Sequence, residues 1–317
     1  MMIEKLEPRF KIGRFAPSTT GRIHPGTLIA GLLCWLDARS SRAQVVLRLE
    51  DLDRERTKSG YVDELERDLE WFGLYWDSRS LQTENSERYE AALERLVGEG
   101  RVYACDCSRA EIRKIGRRAP DGSVYYPGTC RSKTVTSAQW RWVDHPLRLH
   151  LDPRETPLRD ESGLDLSGDA AKLFGDPILR RRDGAYSYHF ASVLDDSESD
   201  VDRVVRGRDL APSTILQVAL QHELVLPTPS YRHHCLFLER AGNKLSKLHG
   251  AVDVGALREK YDSSELCGLL ASFVGLVPAG TVCQPIDLVD EFDWNRIRLE
   301  DVELKWDVSE GLQIRPG

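Results

Sequence analysis

The sequence predicts an α/β fold on an open, doubly wound parallel sheet, and three observations carry that reading. A short strand-like segment over 12–15 runs into a glycine-containing turn and then a leucine-rich helical run. A second run, Ala-Gln-Val-Val-Leu-Arg-Leu over 43–49, is apolar and β-branched, as buried parallel strands are, and ends in carboxylates. Two amphipathic helical patterns follow, and strand, helix, strand, helix, helix is how a doubly wound sheet begins.

The turn over 13–27 organises the rest. Its sequence is Gly-Arg-Phe-Ala-Pro-Ser-Thr-Thr-Gly-Arg-Ile-His-Pro-Gly-Thr. Glycines let a backbone approach a ligand closely, and a helix N-terminus offers free N–H groups to an anion. Pro25 suits the first helical position, where its missing N–H costs nothing. His24 sits where the helix begins, so the helix dipole disfavours a proton on it and leaves a neutral donor for a phosphate. A tight turn with an incidental histidine fits the same residues.

Leu28, Ile29, Leu32, Leu33 and Leu36 recur at helical spacing and define the buried face of the first helix. Cys34 lies inside it and reads as packing. The strand over 43–49 delivers Glu50 to its carboxyl end, where open sheets bind ligands. Glu50 is there either a partner for a ligand ammonium or ribose hydroxyl, or a solvated loop charge. Val62, Leu65, Leu69 and Phe72 mark a second helix stopped by Gly73, and Tyr89, Leu93, Leu96 and Val97 mark a third.

The totals bound the protein class. The chain has 317 residues, 41% hydrophobic and 30% charged, which describes a globular protein with room for a sizeable core. No apolar run approaches the length of a membrane span, and the N-terminal Met-Met-Ile-Glu-Lys lacks a signal-peptide core, so a cytoplasmic protein is expected. A net charge of −7 argues against indiscriminate adhesion to nucleic acid and leaves room for a local basic face. Seven cysteines, an odd number without a leader, read as reduced thiols.

Three of those cysteines cluster. Cys105 and Cys107 follow a strand-like Val-Tyr-Ala, and Cys130 follows a turn-rich loop containing Tyr125 and Tyr126. They fit either a zinc site short of its fourth ligand, with His145 and His150 the nearest histidines, or three structural thiols. Arg113, Lys114, Arg117, Arg118, Arg131 and Lys133 surround them, as RNA-facing charges or as a solvated face. Residues 132–165 read as irregular strands and loops, and 176–184 as a strand and turn returning to the sheet. Residues 185–196 begin a helix or strand, and 231–239 read as a buried strand. Beyond it, Gly242-Asn243-Lys244-Leu245-Ser246-Lys247-Leu248 is a glycine-led loop whose lysines can follow charge onto a leaving pyrophosphate. Two more amphipathic helices and a helical, packed tail complete the expected order.

Read together, Arg14-Phe15-Ala16-Pro17-Ser18, Gly21, His24-Pro25-Gly26-Thr27 and Leu49-Glu50-Asp51-Leu52-Asp53 resemble the class I glutamyl- and glutaminyl-tRNA synthetases. Thr27 stands for the last histidine of the His-x-Gly-His signature, and Pro25 for its usual apolar residue. The loop over 242–248 is similar to the second signature, Lys-Met-Ser-Lys-Ser. The set Cys105, Cys107, then Tyr126-Pro127-Gly128-Thr129-Cys130, resembles a compact branch of that family, the glutamyl-queuosine tRNA(Asp) synthetases, with a longer loop between Cys107 and Tyr126.

The resemblance implies a class I synthetase core: a Rossmann-like parallel sheet with a zinc-bearing insertion and a helical C-terminal tail. The implied division is a catalytic core over 1–100 and 186–250, an insertion over 101–185, and a C-terminal region over 251–317, with no anticodon-binding domain. It implies ATP contacts from His24, Gly26, Thr27, Lys244, Ser246 and Lys247, with His24 and Lys247 catalytic. It implies glutamate contacts from Arg14, Phe15, Ala16, Pro17, Ser18, Glu50, Tyr188 and Arg206. Cys105, Cys107, Tyr126 and Cys130 would hold one zinc, and Mg²⁺ would accompany ATP. The implied activity is tRNA-independent activation of L-glutamate and transfer to queuosine in the anticodon arm of tRNA(Asp), by a monomer. A truncated glutamyl-tRNA synthetase charging a 3′ end, a nucleotidyltransferase sharing only the first signature, and a non-catalytic RNA-binding paralogue are the competing readings.

Overall fold

The computed structural model describes residues 9–238 and 252–315. In chain order the elements begin with β1 (Ile12–Phe15), α1 (Pro25–Ser40), β2 (Gln44–Leu49), α2 (Ser59–Phe72) and β3 (Ser78–Leu81). Then come α3 (Ser86–Gly98), β4 (Val102–Ala104), α4 (Arg109–Ile115), β5 (Leu147–Leu149), β6 (Glu155–Thr156), β7 (Gly168–Asp169), α5 (Ala170–Phe174), β8 (Ile178–Arg180) and α6 (Tyr188–Glu198). The last part holds β9 (Arg203–Gly207), α7 (Thr214–Glu223), β10 (Ser230–His234), β11 (Phe237–Leu238), α8 (Val254–Arg258), α9 (Ser263–Phe273), β12 (Val302–Asp307) and β13 (Gly311–Ile314). They form two compact units. The first comprises the described parts of Met1–Leu81, Val201–Arg208 and Pro229–Gly317; the second comprises Gln82–Asp200 and Asp209–Thr228.

The first unit carries the predicted parallel sheet, in the order β10-β9-β1-β2-β3, with every pairing parallel. The chain winds from β1 outward through β2 to β3, and later returns on the other side of β1 through β9 to β10. β1 and β9 therefore flank the topological switch point, where such sheets open a crevice at their carboxyl ends. α1 is the central prop. Leu28, Leu32, Leu33 and Leu36 are each 0% exposed, so each stabilises the fold by roughly 1.5–3 kcal/mol. Its Cys34 donates to the Arg14 carbonyl at 3.0 Å, and burial pushes that thiol up to about 12. It packs, as its place in the sequence predicts. Behind α1 the core continues into Leu65, Leu69 and Phe72 of α2 and Leu266 and Leu270 of α9.

The second unit is built on α3, α6 and α7 and on the antiparallel sheet β4-β5-β8. Residues 185–196 resolve into the start of α6. Buried Asp195 ties that helix down by accepting from Tyr89 Oη at 2.8 Å, Gln82 Nε2 at 2.9 Å and Asn85 Nδ2 at 3.0 Å.

Three expectations are corrected. The tail is not helical to its end: after α9 it makes two short 3₁₀ turns and then the antiparallel pair β12–β13. The reason is in the sequence, since Val302-Glu-Leu-Lys alternates buried and exposed with the period of a strand. The strand predicted over 231–239 breaks in two. Asp301 accepts the Leu236 N–H at 2.7 Å, and β11 then pairs with β12 instead of continuing in the parallel sheet. The strand within 176–184 does not return to that sheet either; β8 pairs with β5, with the Leu149 N–H on the Pro177 carbonyl at 3.0 Å. Among the described residues no helix is long and apolar enough to cross a membrane.

Candidate active site and metal centre

His24 is the N-cap of α1, with extended backbone (φ −126°, ψ 169°) and Pro25 just inside the helix. Its carbonyl accepts the Thr27 N–H at 2.8 Å and the Leu28 N–H at 3.2 Å. Its imidazole folds back over the first turn: a Cβ added to Gly26 would lie 3.0 Å from the ring's Cε1 and 3.1 Å from Nδ1. The glycine is what lets the ring lie there. The stretch before it is anchored from two sides, by Arg22 on Glu64 at 2.9 Å and on Asp253 at 3.1 Å, and by the Val254 N–H on the Ile23 carbonyl at 3.0 Å.

Arg14, Glu50 and Arg206 stand at the carboxyl ends of β1, β2 and β9, which are neighbouring strands. Arg14 is 3% exposed and donates to the Val205 carbonyl of β9 at 3.3 Å. Arg206 is 6% exposed; its Nε meets His233 Nε2 at 3.2 Å and its guanidinium lies over the Tyr231 ring at 5.3 Å. Glu50 is stitched to the residues after β1. Its N–H reaches the Pro17 carbonyl at 3.0 Å, and its carbonyl accepts the Thr19 N–H at 3.2 Å. Ala16, Pro17 and Ser18 thus run alongside Glu50, Ser18 pairing with it as an isolated bridge. Phe15 differs from them: its side chain is core, stacked on Trp76 at 5.5 Å. Tyr188 belongs to the second unit, where it is the first residue of α6 with its ring 5.0 Å from that of His189. Lys244, Ser246 and Lys247 lie outside the described residues.

In the second unit the fold gathers the three cysteines. Cys105 follows β4, Cys107 precedes α4 and Cys130 closes a turn, and their sulfurs lie within 4.8 Å of one another. Tyr126 is 1% exposed and reaches into the group: its Oη lies 3.3 Å from Cys105 Sγ and 3.8 Å from Cys107 Sγ, and accepts the Cys130 N–H at 3.1 Å. Cys107 and Cys130 sulfurs are 3.5 Å apart. A tetrahedral zinc with thiolate ligands has an edge of roughly 3.8 Å, so the donor set fits such an ion. Burial raises the Cys105 thiol, but Tyr126 and Arg148 together bring it below its ordinary value, whereas burial pushes Cys107 up to about 11. His145 pairs with Arg182 at 3.3 Å and His150 with Asp152 at 3.5 Å. Among the described residues neither belongs to the cluster.

Several of the surrounding cations have structural partners. Arg131 is bidentate on buried Asp176, at 2.7 and 2.8 Å. Arg117 donates to the Lys172 carbonyl and lies over the Tyr125 ring at 4.7 Å. Arg118 donates to the Gly122 carbonyl at 2.7 Å, and Lys133 pairs with Asp106.

Sequence reasoning missed two buried arginines. Arg48, 1% exposed, sits 3.7 Å from the Glu50 carboxylate. Arg148, 7% exposed, stacks on the Tyr126 ring at 3.8 Å. Each is the middle residue of a Leu-Arg-Leu triplet in an apolar strand, a signal that a charge is being buried for a purpose.

Comparison with known proteins places this geometry. The family model for the catalytic domain of class I tRNA synthetases (E and Q) matches residues 12–296. The chain is 42% identical over 238 residues to a Glutamyl-Q tRNA(Asp) synthetase of Synechococcus, covering 74% of this chain and 78% of the relative. It is 39% identical over 308 residues to the Glutamyl-Q tRNA(Asp) synthetase of Nocardia farcinica, covering 96% and 95%. Among solved structures, a glutamate tRNA ligase from Elizabethkingia meningosepticum superposes with a TM-score of 0.75 at 24% identity, over 93% of this chain and 67% of that one, a likeness of fold. The chain belongs to the class I tRNA synthetases of the E and Q type, within the group of the Glutamyl-Q tRNA(Asp) synthetases.

Proposed function

We propose that the chain activates L-glutamate with ATP, without needing RNA, and passes the glutamyl group to queuosine at the wobble position of tRNA(Asp). The observation that carries the reading is the placement of Arg14, Glu50 and Arg206 at the carboxyl ends of adjacent strands, after the first of which comes the turn that holds His24. Two buried guanidinium groups suit the two carboxylates of glutamate, and one carboxylate suits its ammonium. Main-chain groups of Ala16, Pro17 and Ser18 line the amino-acid side, with Phe15 as packing beneath them. Tyr188 joins the glutamate contacts on the strength of the family resemblance.

In the first step an α-carboxylate oxygen of glutamate attacks the α-phosphorus of ATP; the bond to the β-phosphate oxygen breaks and pyrophosphate leaves. Charge growing on the phosphoryl oxygens is met by His24, by the Gly26 N–H and the Thr27 hydroxyl at the helix start, and by Lys247 with Lys244 and Ser246. Mg²⁺ bound with ATP supplies further neutralisation. In the second step a hydroxyl of the acceptor attacks the glutamyl carbonyl and AMP leaves. Cys105, Cys107, Cys130 and Tyr126 would hold a zinc ion that cross-links β4 to the loop carrying Cys130. Such an ion would supply folding energy there, not chemistry.

The choice of acceptor rests on the similarity to the Glutamyl-Q tRNA(Asp) synthetases and on the Cys-x-Cys and Tyr-x-x-x-Cys set. Glutamate-dependent exchange of pyrophosphate into ATP, measured with no RNA present, tests the first step. Exchange that needs tRNA would favour a glutamyl-tRNA synthetase, and no exchange at all would favour a non-catalytic RNA-binding protein.

A further inference from the structure

We infer that Arg148 is the charge-compensating residue of the metal knuckle, positioning Tyr126 as a phenolate ligand and fixing the affinity of the site. The inference rests on the zinc reading above and extends it to a residue outside the ligand set. Three thiolates and a phenolate around a dication leave roughly two negative charges in excess. Buried charge of that size is costly unless it is matched. Asp106, whose carboxylate lies 3.1 Å from Cys130 Sγ, adds another negative charge, and Lys133 answers that one. Arg131, the other cation of the turn, is spent on Asp176.

Among the described residues, Arg148 is the cation left facing the ligands. It projects from β5, is 7% exposed, and lays its guanidinium over the Tyr126 ring at 3.8 Å. That is close for a cation–π pair, and the attraction grows when the ring is electron-rich, as in a phenolate. One end of the fork is pinned, with Nη1 donating to the Asp176 carbonyl at 2.7 Å. Its Nε is buried with no hydrogen-bond partner among the described residues. Tyr126 is locked from behind as well: its carbonyl accepts the Asp176 N–H at 3.2 Å, and Gly175 lies so close that a Cβ there would fall 1.8 Å from the same carbonyl. Ring, guanidinium and Asp176 therefore form one assembly. Outer partners of metal ligands typically set metal affinity by 10–100-fold.

The test uses the full chain. Zinc affinity is measured by competition with a chromogenic chelator, and the cobalt-substituted protein gives the ligand-field spectrum. Arg148→Met, which keeps the volume and removes the charge, should weaken zinc binding by roughly 10–100-fold and shift the cobalt bands as the phenolate is lost. Arg148→Lys should recover part of the affinity. Arg159→Met, at an exposed arginine bonded to the Gly163 carbonyl of its own turn, should leave the affinity unchanged. Wild-type affinity in a folded Arg148→Met protein overturns the inference. If that variant does not fold, Arg148→Lys decides: affinity and spectrum identical to wild type in both zinc and cobalt forms would show that the flat, stacked guanidinium is not required. A wild-type protein that binds no zinc would instead sink the metal reading itself.

Discussion

The same tripeptide, Leu-Arg-Leu, occurs in β2 and in β5, and the two copies do different work. In β2 the flanking leucines are 2% and 0% exposed and Arg48 faces Glu50, two residues along the same strand, at 3.7 Å. In β5 both leucines are 0% exposed and Arg148 faces Tyr126, a residue of another segment, at 3.8 Å. The lesson concerns what a buried guanidinium is for. In the first unit the sequence itself supplies the anion, and the arginine stands beside a carboxylate at the carboxyl end of its own strand. In the second unit tertiary structure supplies the partner, and the arginine stacks on an aromatic ring beside the cysteine cluster.

The comparison can be broken most severely in the second unit. Gly175 adopts φ 72°, and a Cβ there collides with the Tyr126 carbonyl. Gly175→Ala should therefore cost on the order of 3 kcal/mol or more and lower the melting temperature of the zinc-loaded protein by roughly 5–10 °C. A melting curve unchanged from wild type would mean that Tyr126 is not held as described. Cys105→Ser comes next: metal analysis should fall from about one zinc per chain to none, while the wild type treated with a chelator should lose the same cooperative unfolding step.

In the first unit the expected effects are kinetic. Arg206→Ala removes a buried cation from the proposed amino-acid site and should lower kcat/KM for glutamate roughly 100-fold in pyrophosphate exchange, with the ATP requirement little changed. Equal effects on both substrates would count against its assignment. Arg48→Met should raise the glutamate KM by about 10-fold, since it loosens Glu50 without removing it; an effect as large as that of Arg206→Ala would make Arg48 a direct ligand. Smallest is Gly26→Ala, whose methyl would press on the His24 ring at 3.0 Å. It should slow adenylate formation by roughly 3–10-fold, and a rate equal to wild type would free His24 from any positional demand.

The parallel sheet was readable in the sequence because its signals are local. Apolar β-branched runs, Pro25 after His24, and Gly73 after Phe72 each mark a boundary within a few residues, and β1, α1 and α2 lie where those marks put them. The cysteine cluster was also readable, because its spacing is a property of the chain. What escaped was decided at a distance. Asp301 captures Leu236 and splits one expected strand into two in different sheets, and no feature of 231–239 announces that partner. The strand over 178–180 gave no sign of which sheet would take it until Pro177 met Leu149. The hairpin β12–β13 is a different failure, since the alternation of Val302-Glu-Leu-Lys was visible in the chain and the tail was still read as helical. Arg148 and Arg48 lay in plain view between paired leucines, but what each one faces is decided by the fold.

If this core gives glutamate to a modified anticodon base, transfer depends on queuosine and not on the 3′ end of the tRNA. Transfer of radiolabelled glutamate should be measured with tRNA(Asp) carrying queuosine, the same tRNA lacking queuosine, and the queuosine-bearing tRNA trimmed of its 3′-terminal adenosine. The account predicts equal labelling of the first and third and none of the second. Labelling that survives loss of queuosine and disappears with the 3′ adenosine would contradict it.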